Sequence, residues 1–421
     1  MKPRGLRREL GFLGAVALSV GVMAPTLAMS VTGVAAAGQL GRAAPVAYVL
    51  AAIGVGLVAS GFVLLSSRYA HAGSVYAFAG HALGPRAGFL MGWALLGTYI
   101  VFPPVSMLGI GIFGQAFLES AGIAASPPWL PLALVGWAVI WVLAARGIRV
   151  TTGSLLAFEG VSLVLILALV AVIYAKLAGG TAPGGRGLSL EVFSLPDGTT
   201  VGAVALAVTF GFLSYAGFES AGSLGEETRA PKRAIPRSIL LSVVLGGVLY
   251  TVCITAQTLG FGVDAAGVRA FTESGAPLND LGQAYVGGGM AELLDLGAMI
   301  SAFGAGLGGV AVGSRMLFAL ARDGLLARRL SGVSDGTGAP APALAAIMGL
   351  ALAALLAFGI AGTRPLDAFF YLATIGVLSL LVMYIVTNVG AIRVAHADGD
   401  RRRWWAVALP EIGRASCRER V

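Results

Sequence analysis

The fold of this chain is decided by FGFLSYAGFESAGSLGEETRAPKRAIPRS, residues 210–238. An apolar run here is interrupted by small and polar residues at 214–219 and ends in a densely charged loop. A second interruption, GVMAPT at residues 21–26, lies in the first apolar run of the chain. Two interrupted membrane helices at matching places in the two halves of a chain predict a binding site between them.

The composition indicates a protein that spans a lipid bilayer several times. Of 421 residues, 57% are hydrophobic and 11% are charged, whereas soluble domains carry about 25% charged residues. The net charge of +8 is spread between apolar runs, which argues against a nucleic-acid partner. Cys253 and Cys417 are the only cysteines, so we expect no disulfide framework, no metal site and no cofactor.

Ten apolar runs are long enough to cross a bilayer, which takes about 17 to 25 residues. We number them spans 1 to 10, and their predicted extents are 11–35, 45–66, 88–117, 129–145, 154–178, 200–223, 236–260, 290–321, 342–361 and 366–392. Lys and Arg set their orientation. If the N-terminus is cytoplasmic, the inner segments hold 20 of these residues and the outer segments hold 5. The bias predicts a multi-pass protein of the cytoplasmic membrane with residues 1–10 inside.

The spacing of the spans indicates an internal repeat. Spans 1 to 5 (residues 11–178) and spans 6 to 10 (residues 200–392) form two sets of five. Because five is odd, the second set enters the membrane from the opposite side, which gives an inverted-topology pair. Spans 1 and 6, which carry the two interruptions, are then equivalent.

An interrupted helix inside a membrane exposes backbone groups that need partners. Pro25 lacks an N–H and Gly21 relaxes the backbone, so the first interruption is encoded locally. Freed N–H groups near residues 22–26 suit a carboxylate, and freed carbonyl groups near residues 214–217 suit an ammonium group. Together they describe a receptor for a zwitterion.

Three motifs resemble the amino acid, polyamine and organocation permease superfamily. They are FLSYAGFESAGSLGEETRAPKRAIPRSI from residue 212, GSVYAFAGHALGPRAGFLMGW at 73–93 and SRMLFALARDGLLARRL at 314–330. The resemblance runs through all ten spans. It implies an all-α polytopic membrane protein with a LeuT-like five-plus-five inverted-repeat core, in which helices 1 and 6 are discontinuous and hold the substrate.

The resemblance also implies which residues contact the substrate. They are Val22, Met23, Ala24 and Thr26 in span 1, and Ser214, Tyr215, Ala216 and Gly217 in span 6, with Tyr215 or Phe218 as an aromatic gate. The loop at 226–237 is expected to act as an inner gate, and the segment at 264–289 as an external lid. Many members carry a Gly-Ser-Gly type run where this chain has Ala24, Pro25 and Thr26, so we expect its carboxylate contacts to be rearranged.

Glu159 and Glu219 are the acidic residues best placed within the predicted spans. Burial disfavours the charge of a carboxyl group, so either could carry the proton that drives transport. Many proton-coupled relatives have a Lys where Glu159 stands, and coupling through Lys therefore does not transfer to this chain. Sodium is the alternative ion, with Ser301 and carbonyl groups of span 1 as candidate ligands.

These features predict a secondary active permease, not an enzyme, that moves an amino acid by alternating access with proton coupling or exchange. The alternatives are a permease for polyamines or other organic amines and a non-transporting amino acid sensor. No phosphate-binding loop of an ATP-driven pump is present. Beyond the core, residues 393–410 predict a cytoplasmic segment and the start of a truncated eleventh span. The tail at 411–421 has the character of a non-native sequence.

Overall fold

The computed structural model describes residue 6 and residues 8–125 and 127–397. In this part of the chain every regular element is a helix, and an isolated parallel bridge joins Leu10 to Thr228. The all-α fold class predicted from the sequence is confirmed. From residue 398 onward, the predicted eleventh span and the tail at 411–421 lie outside the described residues.

The described residues form fourteen α-helices. They are α1 (Phe12–Met23), α2 (Pro25–Leu40), α3 (Ala44–Arg68), α4 (Val75–Leu83), α5 (Pro85–Ser120), α6 (Trp129–Ala145), α7 (Ile148–Ala178), α8 (Val201–Ser214), α9 (Pro231–Phe261), α10 (Ala265–Glu273), α11 (Pro277–Tyr285), α12 (Gly288–Arg322), α13 (Ala341–Ile360) and α14 (Pro365–Ala397). Short 3₁₀ turns lie at Gly41–Ala43, Pro183–Gly185, Leu190–Phe193, Ser220–Leu224 and Arg328–Ser331.

Most predicted spans coincide with helices that could cross a bilayer. Within the described residues, seven helical runs are long and apolar enough, and the first of these, Phe12–Arg68, contains both span 1 and span 2. The helices of spans 4 and 6, α6 and α8, are apolar but shorter. The chain is therefore a multi-pass membrane protein.

Both interruptions are present, with lengths that differ from the prediction. Between α1 and α2 a single residue, Ala24, leaves the helix, where the sequence predicted a break over residues 21–26. The second interruption is longer than predicted, because α8 ends at Ser214 and α9 begins only at Pro231. With 14 residues, α8 rises about 21 Å, which is less than a hydrocarbon core of about 30 Å.

The start and the end of α9 mark the two ends of the helix bundle. Helix α9 starts beside the Leu10–Thr228 bridge and contains 31 residues, so it rises about 46 Å. We call the end at the bridge the N-terminal side. The opposite end, where α10 and α11 follow α9, is the lid side.

The centre of the bundle is formed by α5 and α12, whose most apolar windows are both 78% buried. Glycine residues in α5 and α12 allow neighbouring helices to approach them closely. A Cβ atom on Gly111 of α5 would lie 2.9 Å from the carbonyl oxygen of Trp129, and one on Gly313 of α12 would lie 2.9 Å from that of Tyr99. Small residues permit such packing where lipid removes the hydrophobic drive between helices. Helix α12 also packs against α1 and α2 on either side of the first interruption.

Candidate functional site

The α1–α2 break consists of Ala24, whose φ of 44° and ψ of 67° are left-handed. Its N–H still donates to the carbonyl oxygen of Val20 at 3.1 Å, and its own carbonyl accepts the N–H of Ala28 at 2.9 Å. Pro25 follows as the first residue of α2, where its missing N–H costs nothing and its fixed φ suits the helix. Ala24 thus adopts a left-handed conformation for one residue, while both of its own backbone hydrogen bonds are kept.

The amide groups freed by this break lie at the start of α2. Val22 and Met23 complete α1, so the N-terminal end of α2, at Thr26 and Leu27, carries the positive end of a helix dipole. The Leu27 N–H donates to Ser301 Oγ of α12 at 3.3 Å. Ser301 therefore meets a donor of span 1, where the sequence suggested carbonyl groups.

The α8–α9 break covers residues 215–230 and consists largely of tight turns. N–H groups donate to carbonyl oxygens three residues back at Tyr215, Ala216, Phe218, Ser220 and Gly222. Among the described residues, no such turn bond is formed by the carbonyl oxygens of Ser214 and Ala216. These two carbonyl groups lie at the C-terminal end of α8, where the helix dipole favours positive charge.

The two breaks pack directly against each other at Gly217. Its φ is 110°, a value that favours glycine. A Cβ atom at this position would lie 2.4 Å from Val22 Cγ1 and 3.1 Å from the backbone nitrogen of Met23. Residues 22, 23 and 217, which the sequence assigned to one site, therefore lie together.

Ser19 of α1 fastens the α8–α9 break to the first helix. Its hydroxyl donates to the carbonyl oxygen of Phe218 at 2.8 Å and accepts the N–H of Ala221 at 3.1 Å. Ser19 is completely buried, so both backbone groups would lack a partner without it. No local feature of the sequence indicates this role, because Ser19 is one of many small residues in span 1.

Glu219 links the α8–α9 break to two helices through hydrogen bonds to its carboxylate. Tyr99 of α5 donates its hydroxyl to Glu219 Oε1 at 2.9 Å, and Tyr384 of α14 donates to Oε2 at 3.4 Å. The Tyr99 hydroxyl also lies 2.7 Å from Ser220 Oγ. Glu219 is 1% exposed, and the sequence identified it without either tyrosine partner.

The two predicted aromatic gate residues are both buried. The Phe218 ring packs edge-on against Phe62, with centroids 5.4 Å apart, and lies 5.4 Å from the ring of Tyr384. The Tyr215 ring meets Tyr250 of α9 edge-on at 5.0 Å. Phe218 therefore lies on the side of α3 and α14, and Tyr215 lies on the side of α9.

Glu159 of α7 forms a second polar centre. Its carboxylate accepts hydrogen bonds from Ser301 Oγ at 3.2 Å to each oxygen and from Ser162 Oγ at 3.2 Å. Because Ser301 also accepts the Leu27 N–H, a hydrogen-bonded chain runs from Glu159 to the start of α2. A carboxyl group, a hydroxyl and a helix N-terminus are thus brought together beside the α1–α2 break.

Several buried hydroxyl groups surround the breaks. Ser214 Oγ lies 2.9 Å from Thr32 Oγ1, which lies 2.6 Å from the Tyr48 hydroxyl. In the described part of the chain, Thr26 Oγ1 and the Tyr215 hydroxyl are buried without a hydrogen-bond partner. Unpaired buried hydroxyls are uncommon in folded proteins, so these two atoms are suited to a polar ligand or to water.

On the N-terminal side, the α8–α9 break is held by a buried ion pair and by backbone hydrogen bonds to the N-terminal segment. Glu227, in the α8–α9 break, pairs with Arg315 of α12, whose Nη2 lies 2.9 Å from Glu227 Oε1 and whose Nε donates to Oε2. The carbonyl oxygen of Glu227 also accepts the N–H groups of Glu9 and Leu10 at 3.0 Å. The break is thus anchored to both α12 and the N-terminal segment.

A second ion pair lies nearby in the predicted inner-gate loop. Arg322 donates to both carboxylate oxygens of Glu226 at 2.8 and 2.9 Å, and its Nη2 lies 2.7 Å from His71 Nε2. Burial would raise the pKa of Glu226, but hydrogen bonds from Arg322 and from the Ala72 N–H outweigh it and lower that pKa. Burial and then the Arg322 charge lower the pKa of His71.

Within the described residues, no cluster of three or more His, Cys, Asp or Glu side chains could hold a metal ion. The site is built instead from helix ends, hydroxyls and two carboxylates. Sequence reasoning missed Ser19, Tyr99 and Tyr384. These side chains reach the breaks from other helices or from an ordinary helical turn, and only the assembled bundle reveals them.

Comparison with known proteins identifies the family of the chain. Residues 10–415 match the amino acid permease family. The chain is 28% identical over 385 residues to the branched-chain amino acid permease BcaP of Lactococcus lactis, covering 87% of this chain and 80% of the relative. It is 26% identical over 335 residues to the low-affinity putrescine importer PlaP of Escherichia coli, covering 78% and 70%.

A third relative broadens the range of substrates. The methylthioribose transporter of Bacillus subtilis is 24% identical over 412 residues, with 94% of this chain and 84% of the relative covered. All three relatives are transport proteins by name. With two contacting helix breaks inside a bundle of apolar helices and a family match over nearly its whole length, the chain belongs to the amino acid permease family of membrane transporters.

Proposed function

We propose that this permease is a secondary active transporter that moves a neutral, apolar amino acid across the cytoplasmic membrane by alternating access. The observation that carries the proposal is the contact of the two breaks, in which Gly217 packs on Val22 and Met23. A ligand between them would touch both halves of the chain. Its binding energy could therefore favour one arrangement of the halves over another.

The ends of a zwitterion match the groups that the breaks offer. The N-terminal end of α2 at Thr26 suits the substrate carboxylate, and Thr26 Oγ1 is buried without a partner in the described structure. The carbonyl groups of Ser214 and Ala216, at the end of α8, suit the ammonium group. Tyr215, Ala216 and Phe218 would then contact the substrate side chain.

The state of the two carboxylates favours a neutral substrate. Glu219 already accepts hydrogen bonds from Tyr99 and Tyr384, and Glu159 accepts them from Ser162 and Ser301. A dication would compete for one of these bonded groups, whereas an apolar side chain leaves both undisturbed. Polyamine transport through Glu219 is the alternative, and the similarity to a putrescine importer gives it a specific basis.

For coupling, we propose that Glu159 or Glu219 carries a proton, with sodium at Ser301 as the rival. Glu159→Gln or Glu219→Gln should abolish the pH dependence of uptake if that residue is the coupling group. Glu119→Gln, at an exposed position near the end of α5, is the matched control. A variant that keeps the pH dependence of the wild type removes its residue from the coupling path, and sodium-driven uptake in both variants would favour the sodium site.

The proposed orientation places the N-terminal side in the cytoplasm. It follows from the excess of Lys and Arg in the predicted inner segments, 20 against 5 in the predicted outer segments. The Glu227–Arg315 pair would then close an inner gate, and α10 and α11 would lie outside. A cysteine introduced at Arg329→Cys should react with a membrane-impermeant thiol reagent only after the cells are permeabilised.

Counterflow tests transport directly and separates it from sensing. Proteoliposomes loaded with unlabelled L-leucine should transiently accumulate tritiated L-leucine from outside, and loading with putrescine should not support this exchange. Accumulation driven by putrescine would favour the polyamine alternative. Binding of labelled L-leucine without any exchange would show a sensor and contradict the proposal.

A further inference from the structure

A cavity of about 290 Å³ opens on the lid side, apart from the two breaks. Three segments surround it: the loop at residues 184–187, the end of α9, and the start of α10. Its lining combines glycines with one cation, Arg186, and one carboxylate, Asp264. Neither charged residue takes part in the site between the breaks.

The two charges of this cavity face each other across a gap. A Cβ atom built on Gly262 would lie 3.1 Å from Arg186 Nε and 3.1 Å from Asp264 Oδ1. Any side chain at position 262 would therefore fill the space between the cation and the carboxylate. Gly262 leaves this space open, and its φ of 107° makes another residue there strained as well.

Arg186 interacts with the Gly260 carbonyl and with the Tyr285 hydroxyl, which leaves some of its guanidinium N–H donors for a ligand. Its Nη1 donates to the carbonyl oxygen of Gly260 at 2.8 Å, which holds the guanidinium group at the end of α9. Among the described residues, no carboxylate lies within ion-pair distance of Arg186, although Asp264 lines the same cavity. A guanidinium group has five N–H donors in a planar fork that fits a carboxylate.

Asp264 is likewise held in place while one oxygen remains available. Its Oδ1 accepts the N–H of Gly267 at 2.9 Å and so caps α10. Within the described structure its Oδ2 has no hydrogen-bond partner, and the residue is exposed toward solvent. A capping carboxylate with a free oxygen can accept an ammonium group without losing its structural role.

From this arrangement we infer a second binding site for a zwitterionic amino acid on the lid side, with Arg186 binding the carboxylate and Asp264 the ammonium group. This inference rests on the proposed function, because it assumes that amino acids are the ligands of the chain. The cavity is half open and its charges are partly hydrated, so the site binds more weakly than the site between the breaks. Because it lies at the junction of α9 with α10, on the side proposed to be external, it is a place where substrate binds outside the site between the breaks.

Equilibrium dialysis of tritiated L-leucine against the purified full chain in detergent tests the inference. The wild type should bind two equivalents with distinct affinities. Arg186→Gln should weaken the second site at least about tenfold, the effect expected for loss of one charged hydrogen bond. Asp264→Asn should do the same while keeping the helix cap, because Asn caps helices as well as Asp does.

Arg269→Gln is the matched control, since Arg269 is an exposed cation of α10 that pairs only with Glu273 among the described residues. It should bind two equivalents. Isocaproate, which lacks the ammonium group, and isoamylamine, which lacks the carboxylate, should each displace the second leucine at least about tenfold less well than leucine itself. Equal displacement by isocaproate would mark a simple anion site and overturn the inference.

The outcomes separate this inference from the proposed function. One equivalent bound by the wild type, Arg186→Gln and Asp264→Asn alike overturns the second site and leaves the proposed function standing. Two equivalents in Arg186→Gln and Asp264→Asn would also overturn it. No binding of L-leucine by the wild type, or by any variant, would contradict both. Thermal melting of each variant in detergent shows that a lost equivalent is not a lost fold.

Discussion

The two helix breaks occupy the same site but are held in different ways. The α1–α2 break is one residue long, and Ala24 keeps both of its backbone hydrogen bonds. The α8–α9 break covers 215–230 and depends on side chains of other helices. Those side chains are Ser19 of α1, Tyr99 of α5, Arg315 of α12 and Tyr384 of α14.

The difference teaches which break can move. A one-residue break has few alternatives, because Pro25 fixes its own φ and Ala24 keeps both of its backbone hydrogen bonds. We call the side chains that hold the α8–α9 break its tethers. A long break of this kind can lose its tethers one at a time. Packed elements with two discrete arrangements are the usual units of conformational change. We therefore expect substitutions at the tethers to have larger effects than substitutions at Ala24.

The strongest test of this comparison is the variant Arg315→Met, which removes the buried cation that pairs with Glu227. Arg315 is 4% exposed and Glu227 is 2% exposed, so the substitution leaves a carboxylate buried without its cation. We expect the free energy of unfolding to fall by about 3 to 5 kcal/mol. Titration with sodium dodecyl sulfate in mixed micelles measures it.

Two further variants make this test specific. The exposed Arg329→Met is the control and should stay within about 0.5 kcal/mol of the wild type. The double variant Arg315→Met with Glu227→Leu removes both charges and should recover much of the loss. If the double variant is as unstable as the single one, the ion pair does not act as a tether.

The contact between the breaks is tested by Gly217→Ala. The added Cβ atom would meet Val22 Cγ1 at 2.4 Å, in a backbone conformation that disfavours alanine. We expect a loss of about 2 to 4 kcal/mol in stability together with loss of L-leucine exchange. Gly160→Ala, on α7 with no neighbour within 4 Å of the new atom, should leave both unchanged; equal behaviour of the two variants would show that the breaks do not need close contact.

Ser19→Ala tests the one tether that comes from the other broken helix. It removes the partner of both the Phe218 carbonyl and the Ala221 N–H. We expect a loss of about 2 kcal/mol and faster hydrogen exchange at residues 218–224, measured by mass spectrometry. Ser67→Ala, whose hydroxyl donates to a carbonyl at the exposed end of α3, serves as control, and unchanged exchange in Ser19→Ala would argue against a tether.

The sequence predicted the features that depend on neighbouring residues. Long apolar runs gave the membrane spans, and the Pro25 and Gly217 regions gave the position of both breaks. Glu159 and Ser301 were each identified as candidate coupling residues. Such signals are readable because bilayer thickness and backbone sterics act on local sequence.

The lengths of the breaks and their partners could not be predicted in this way. The α8–α9 break ends only at Pro231, and its turns are held by groups such as Tyr384, which is 165 residues from Glu219. A buried tyrosine has no local signature that separates a packing role from a hydrogen bond. The bond between Glu159 and Ser301 likewise spans 142 residues, so it depends on how α7 packs against α12.

The smallest effect is expected at the self-supporting break, with Ala24→Gly. Glycine relieves a left-handed conformation that costs alanine about 1 to 2 kcal/mol, but it removes a buried methyl group worth about 0.8 kcal/mol and adds freedom to the unfolded chain. These contributions nearly cancel, so stability should change by less than about 0.5 kcal/mol. Ala230→Gly is the matched variant, because Ala230 has a similar φ of 47° at the end of the longer break but is exposed. Ala230→Gly loses no buried methyl group, so we expect it to be more stable than Ala24→Gly. If Ala24→Gly instead matches the loss seen for Ser19→Ala, the α1–α2 break depends on outside support as well, and the contrast between the breaks fails.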